Sequence, residues 1–481
     1  MTGASPELLS GAPGRIAGVT DAELDVIRSA FARWRAKESR NRLRSVYYDG
    51  KMPVKDLGIS TPPQVKQRVK AVLGWPAKAC TMLAERSVFE RFVAPGGSDD
   101  PFELSAVLDD NRFDIELPQA IVSAYKHSCS FLTVAKGDTA SGEPEVLLQA
   151  RSAEWVGALW DKRRRVVSAM VAIVDTDRDG NPTAFDVYLP DVVLMCSRTP
   201  SGAWRADRRP NPLGAVQAEP LTWDSQLDRP FGRSRISRAV MSITDNALRT
   251  ILRTEVSAEF YAAPRMAALG VAEDAFKRGK WSAALDRWFA LTKDEEGDTP
   301  TVQQFPQMTM QPLLDLYRSY ASQFQGETGI PISSLGIVTD QPSSAEAMYA
   351  GTADLINAAR IANRGHGAAL RRVAQMVVAV RDGADAGKSD EVRRVQTSWV
   401  NPAFTSPTAS ADALVKLAVV FPWLSESETA LEFAGFTGAE ITRLMADKRR
   451  TSGGSLLDRA LAARAATPRA PESDASTLEA K

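Results

Sequence analysis

The stretch TGIPISSLGIVTDQPSS, residues 328–344, runs without a break into a helix-periodic segment that ends near Val380. Its Gly and Pro punctuation is that of a loop. Beyond it, apolar or small residues recur at Met348, Leu355, Ala359, Ala362, His366, Leu370, Val373, Val377 and Val380. Steps of three and four line one face of an α-helix. Ser343 and Glu346 stand where a capping box fixes a helix start. At ~1.5 Å per residue, Ser343 to Val380 spans roughly 57 Å, far beyond an ordinary globular helix. Gly351, Gly365 and Gly367 mark positions where a kink is expected. The fold is thus organised around a loop presented at the end of a long strut.

Upstream, Pro312, Leu313, Leu316, Tyr320 and Phe324 outline a helix that leads into the loop, and Ile236, Val240, Ile243, Ala247, Ile251 and Ala258 outline an earlier one ended by Pro264. Within the earlier helix Asp245 precedes Arg249 by four residues, the spacing of an ion pair. Between the two helices lies a small mixed unit: RMAALG as a strand, a helix around Trp281 to Thr292, the turn DEEGD, then TVQQF as a strand.

Nearer the N-terminus, Thr20 and Glu23 form another capping box, followed by the amphipathic run Leu24, Ile27, Phe31, Trp34. Residues 62–93 read as helical around an interruption at Gly74-Trp75-Pro76. From about 112 to 228, FLTVAKG, PEVLLQA, RVVSAMVAIV, FDVYLP and VVLMCS predict a β-rich antiparallel region. Residues 198–238 carry eight arginines against four acids and five prolines, which reads as an irregular basic connector. After Gly383 come a strand-like RVQTSWV and short helices near 411–421, 426–434 and 438–450. Beyond Thr451 little is available to bury, and disorder is expected.

The 481 residues suggest about three domains, and 44% hydrophobic residues are ample for their cores. Lysine plus arginine equals aspartate plus glutamate, 59 against 59, so net charge gives no sign of a tight nucleic-acid or anionic-membrane binder. Cys80, Cys129 and Cys196 lie far apart without a CxxC pair, which predicts reduced thiols rather than a disulfide framework or zinc knuckle. The opening MTGASPELLSGAPG has neither a basic start nor an apolar core, and Val166 to Val174 is too short to span a bilayer. A protein neither secreted nor membrane-embedded is expected.

The usual catalytic signatures, GxxxxGK[ST], GxSxG and HExxH, are absent from the chain. Of its two histidines, His366 falls on the apolar stripe of the long helix, and His127 is two residues from Cys129 without the orientation a nucleophile pair needs. DTDRDGNPTAFD, residues 175–186, places Asp175, Asp177, Asp179 and Asp186 at EF-hand-like spacing. Strand patterns flank it, so a hairpin turn is the expected structure and a calcium site the alternative. Lys162-Arg163-Arg164-Arg165 reads as a solvated hairpin turn, with a phosphate-binding patch as its alternative. For the arginines of 198–238, surface or subunit-interface ion pairs are expected before a phosphate patch. No cofactor and no enzymatic activity are expected; a carboxylate-only hydrolase is the distant alternative.

Taken in order, PFGRSRISRAV, EFYAAPRMAALG, the small insert, YRSYASQFQGETGIPISSLGI and PSSAEAMYAGTADLINAAR resemble the portal proteins of tailed bacteriophages, over roughly residues 20–450. The likeness rests on the order of the segments. It implies an α+β, mainly helical, multidomain subunit with wing, stem, clip and crown and a long tunnel-adjacent helix. Residues 1–19 would be a flexible leader, 20–234 the wing, 235–263 a stem helix, 264–308 the clip and 309–328 the second stem helix. Residues 329–344 would form the tunnel loop, 343–404 the long helix and its return to the wing, 405–450 the crown and 451–481 a disordered tail.

The resemblance further implies a closed ring, usually twelve-fold, at one capsid vertex of the virion, assembled in the host cytoplasm, through which double-stranded DNA is packaged and ejected. Implied partners are other copies of the chain, the terminase large subunit, the major capsid and scaffolding proteins, and a head–tail connector protein. Thr339, Asp340, Gln341, Ser343 and Ser344 would line the DNA channel. Arg278, Lys280, Asp294, Glu295 and Glu296 would meet the motor or connector. Ile337 to Ser344 holds one acid and no basic residue, as a wall that lets DNA slide requires. A head-completion adaptor or scaffold-like virion protein is the alternative.

Overall fold

A computed structural model describes residues 11–55, 71–95, 100–261, 266–269, 301–304, 309–337, 345–403, 407–436, 438 and 440–450. The chain divides into two compact units, Met1–Pro402 and Ala403–Lys481.

Helix α1, Asp21–Tyr48, begins at the expected capping box: the Thr20 amide donates to Glu23 at 2.8 Å and the Glu23 amide to the Thr20 hydroxyl at 3.4 Å. Its first turns bury Leu24, Ile27, Phe31 and Trp34 against a five-stranded antiparallel meander. The strands are β4 (Val156–Asp161), β5 (Val166–Thr176), β6 (Pro182–Tyr188), β7 (Val192–Arg198) and β8 (Trp204–Pro210), once α2 (Trp75–Ala84), β1 (Phe89–Val93), α3 (Leu104–Asp110), α4 (Phe113–His127), β2 (Cys129–Lys136) and β3 (Val146–Ser152) have been counted. Because side chains alternate along a strand, β5 turns Ala169, Val171 and Ile173 toward α1, and Met170 and Ala172 toward Phe131 on the other side. Burial on both faces explains why β5 reads as an unbroken apolar run.

A second sheet, ordered β3-β2-β9 with β9 at Ala218–Thr222, is antiparallel throughout. Helix α4 packs on its strands β2 and β3. Helix α5 (Arg238–Tyr261) leads to β10 (Met266–Leu269), which pairs antiparallel with β11 (Thr301–Gln304) before α6 (Gln311–Thr328) returns along α5. The chain therefore shows the expected order of helix, strand, strand, helix. The helix expected around Trp281 to Thr292 and the DEEGD turn lie outside the described residues. Buried Arg235 joins these parts: its Nη2 donates to the Thr328 carbonyl at 2.6 Å and its Nε to that of Ala79.

Helix α7, Ala345–Asp382, runs for 38 residues, ~57 Å, without interruption. Leu355, Ala359, Ala362, His366, Leu370, Val373 and Val377 are buried, as the periodicity predicts. Ser343, half of the expected capping box, lies outside the described residues. Gly367 serves close approach: a Cβ there would sit 2.6 Å from Thr397 Oγ1, on strand β12 (Gln396–Trp399). The short helix α8, Asp390–Arg393, precedes that strand.

Five details depart from the sequence reading: α7 runs through Gly351, Gly365 and Gly367, where kinks are expected, as one continuous helix, and four others concern the N-terminal half. Residues 89–93, read as helical, form β1 and pair antiparallel with β12, a partner some 300 residues away that no local pattern reveals. The β-rich region opens with helix α4. The supposed irregular connector contains β8 and β9; β8 is an exposed edge strand rich in arginine, so it lacks apolar alternation and exists by pairing with β7. Residues 11–19, placed in the leader, include Ile16, which is buried, and Ala17, whose amide donates to the Trp204 carbonyl at 2.9 Å.

The second unit contains α9 (Pro407–Val420), a 3₁₀ turn at Pro422–Glu426, α10 (Glu428–Phe433) and further helical residues to Arg450. Among the described residues no helix is long and apolar enough to cross a membrane.

Candidate functional site

Thr339, Asp340, Gln341, Ser343 and Ser344, expected along a channel, lie outside the described residues, as do Arg278, Lys280, Asp294, Glu295 and Glu296 of the docking insert. Their frames are described. The segment expected to line a channel follows a 3₁₀ turn, Ile332–Leu335, anchored by buried Ile330, Leu335 and Ile337, and the chain is described again as α7 from Ala345. The insert expected to meet the motor or connector lies in the sequence between β10 and β11.

The acidic motif at 175–186 is a hairpin turn between β5 and β6. Asp177 Oδ1 accepts the amides of Asp179 and Asn181 at 3.0 and 2.8 Å, and Asp175 Oδ2 accepts the Thr183 hydroxyl at 2.9 Å. Asp186 faces Arg151, 3.4 Å away, inside the sheet, where burial raises its pKa. The four carboxylates do not converge, so the calcium alternative lacks its ligand cage; among the described residues no group of three His, Cys, Asp or Glu side chains is placed to hold a metal ion.

The Cys129/His127 arrangement is likewise structural. Burial raises the Cys129 thiol to about 11, which leaves no thiolate near neutral pH. Burial also holds His127 below its ordinary value, and its neutral ring donates Nε2–H toward Glu154, 3.4 Å away. All three cysteines are buried and unpaired.

What the structure does assemble is a basic cleft of about 1310 Å³. Arg33, Lys37, Arg40 and Arg44 project from one face of α1, steps of three and four apart. Lys162 and Arg165 come from the β4–β5 turn, where Asp161 Oδ1 accepts the amides of Arg163 and Arg164 at 2.8 and 3.0 Å. Arg229 and Arg233 come from the segment before α5 and Arg238 from its first turn, and Asp228 is the sole acidic lining residue. Phe131 and Phe231 pack 5.8 Å apart in its wall, and Lys37 stands over the Phe231 ring.

Desolvation, helped by Arg40, lowers the Arg44 pKa to about 10, while its guanidinium donates to the His127 carbonyl at 2.8 Å. Arg33, Arg40, Lys162, Arg165 and Arg238 form no ion pair among the described residues. The KRRR turn and the arginine-rich segment were legible as basic; the stripe on α1 was also there to be read, at 33, 37, 40 and 44. Their convergence is set by the β4–β5 hairpin lying against α1. It allows this surface to hold anionic groups.

The family described as phage portal protein, SPP1 Gp6-like, matches residues 30–452. The portal protein of Mycobacterium phage L5 is 27% identical over 383 residues, 77% of either chain. That of Mycobacterium phage D29 is 28% identical over 410 residues, 82% of this chain and 81% of the relative. A chain from the neck of a native GTA particle, computed with C12 symmetry, aligns over 83% of this chain and 99% of its own at 12% identity and a TM-score of 0.41. The family match encloses α5, the β10–β11 pair, α6 and α7 in one run, and the chain belongs to the SPP1 Gp6-like family of phage portal proteins.

Proposed function

We propose that twelve copies of this portal protein close into a ring at one vertex of the capsid, and that double-stranded DNA passes through the centre during packaging and ejection. The observation that carries the reading is the unbroken order of α5, β10–β11, α6, loop and α7 within the family match. In this arrangement α5 and α6 are the stem, residues 264–308 the clip, residues 329–344 the tunnel loop and residues 405–450 the crown. The terminase large subunit docks on the clip around Arg278, Lys280, Asp294, Glu295 and Glu296, and a head–tail connector protein later takes that place. ATP chemistry belongs to the motor.

Support for the tunnel assignment is compositional: from Ile337 to Ser344 there is one acid and no basic side chain. Each added Lys–phosphate contact releases counterions and tightens DNA binding, which opposes sliding. Electron microscopy and native mass measurement of the purified chain test the ring; persistent monomers or dimers, even with capsid protein supplied, refute it. Asp340→Lys with Gln341→Lys is expected to slow packaging while leaving ring assembly intact, and unchanged packaging rates would remove the tunnel assignment.

A further inference from the structure

We infer that the basic cleft is the seat of a second copy of this chain, and that the part of the neighbour entering it is the acidic face at the opposite end of α4. Helix α4 is 15 residues long, ~22 Å, and separates the two surfaces. At its C-terminal end His127, Ser128 and Cys129 line the cleft. At its N-terminal end Glu103, Asp109, Asp110 and Asp114 are exposed and form no ion pair among the described residues.

The β2–β3 hairpin brings exposed Glu143 and Glu145 to the same acidic end. Asn111, between α3 and α4, fixes the junction: its Nδ2 donates to the Val146 carbonyl and its Oδ1 accepts the Leu148 amide, both at 2.8 Å. Arg112 and Lys136 stand in the same segments, and Arg381, which feels Glu103 and Glu145, is tied to Asp382 at 2.8 Å. Carboxylates remain in excess there, while basic groups hold the other end.

The inference rests on the ring reading, since a ring closes through heterologous contacts that need two different, complementary faces on each subunit. Opposite charge at opposite ends of one rigid layer meets that need. The cleft suits a folded partner better than a phosphate backbone: Phe131 and Phe231 give it an apolar wall and Leu227, 90% exposed, stands at its rim. Single exposed pairs contribute little, but complementary patches steer the encounter and fix its register.

The test uses the full chain with two charge reversals, Arg33→Glu/Lys37→Glu/Arg40→Glu and Asp109→Lys/Asp110→Lys/Asp114→Lys. All six side chains are exposed, and circular dichroism and thermal unfolding check that each variant folds. Sedimentation and native mass spectrometry at low and high salt read association. Each variant alone is expected to self-associate on the order of 100-fold more weakly than the wild type, because like charges then face each other. An equimolar mixture restores assembly with the two variants alternating, as does the chain carrying both reversals.

Wild-type-like assembly of either variant alone, or a mixture that stays dissociated, overturns the inference and leaves the ring reading standing. Open chains or dimers of wild type that the reversals abolish and the mixture restores support the contact and refute the ring. Loss of duplex-DNA retention with assembly unchanged assigns the cleft to nucleic acid and overturns the inference.

Discussion

The Tyr47 hydroxyl lies 2.8 and 2.9 Å from the two carboxylate oxygens of Asp245, joining the end of α1 to the middle of α5 across 198 residues of sequence. Lys55 Nζ completes the group, 2.6 Å from Asp245 Oδ2 and 2.9 Å from the tyrosine oxygen, and these contacts raise its pKa. The i,i+4 spacing of Asp245 and Arg249 is not used; Arg249 donates instead to Asn246. Buried Asp245 is thus a joint between the N-terminal layer and the first of the paired helices.

Replacing Asp245 by alanine leaves the buried Tyr47 hydroxyl without its acceptor and Lys55 without its counter-charge, at a cost of about 1–3 kcal/mol. Asp245→Asn keeps one acceptor and is expected to lose less. Urea midpoints of the two variants check the order; equal midpoints would show that the joint contributes nothing.

Two buried groups oppose each other in acid. Burial raises Glu219 from 4.5 to about 7, outweighing half-exposed Arg372, whose Nη1 donates to it at 3.2 Å. As pH falls from 7 to 4.5 the folded chain takes up this proton before the unfolded chain does, so the fold gains stability, by about 3 kcal/mol in total. Burial lowers His366, set against Tyr125 and Trp399, from 6.5 to about 4. Here the unfolded chain protonates first, and stability falls by about 3 kcal/mol between pH 6.5 and 4.

Half-buried Asp186 adds to the gain and buried His127 to the loss. The expected outcome is opposite slopes once one group is removed: Glu219→Gln loses stability from pH 7 to 5, whereas His366→Phe gains it. Denaturation midpoints against pH read this directly, and parallel profiles for the two variants would contradict it.

Helix α1 meets β4 at Gly157, where an added Cβ would lie 2.1 Å from the Ala30 carbonyl oxygen and 3.0 Å from Trp34 Cβ. Gly157→Ala pushes the helix off the sheet and is expected to cost about 1–3 kcal/mol. Gly365, exposed within α7 with nothing within 4 Å of the same position, gives the contrast: alanine there should stabilise by about 1 kcal/mol. Thermal unfolding of both variants measures the difference, and equal shifts would refute the close approach.

Some elements were plain in the sequence because their cause is local. The Thr20/Glu23 box, the stripe from Leu355 to Val377 and the unbroken apolar run through β5 are each written within one segment. Where the partner is remote, reading failed: β1 needs β12, and Gly367 looked like a kink until β12 was seen against it; β8 was missed for another reason, its arginine-rich edge having no apolar alternation. The basic cleft is of the second kind, since each of its three segments alone is an ordinary solvated surface.

The order of helices, insert, loop and long strut was settled by the sequence, because helix periodicity, caps and Gly/Pro punctuation act over a few residues. Which charged segments stand together, at which end of α4, was decided only by tertiary structure. Packing of α1 on β4 and the tie of Asn111 to β3 bring together residues far apart in the chain, and burial then sets the pH at which Glu219 and His366 gain or lose charge.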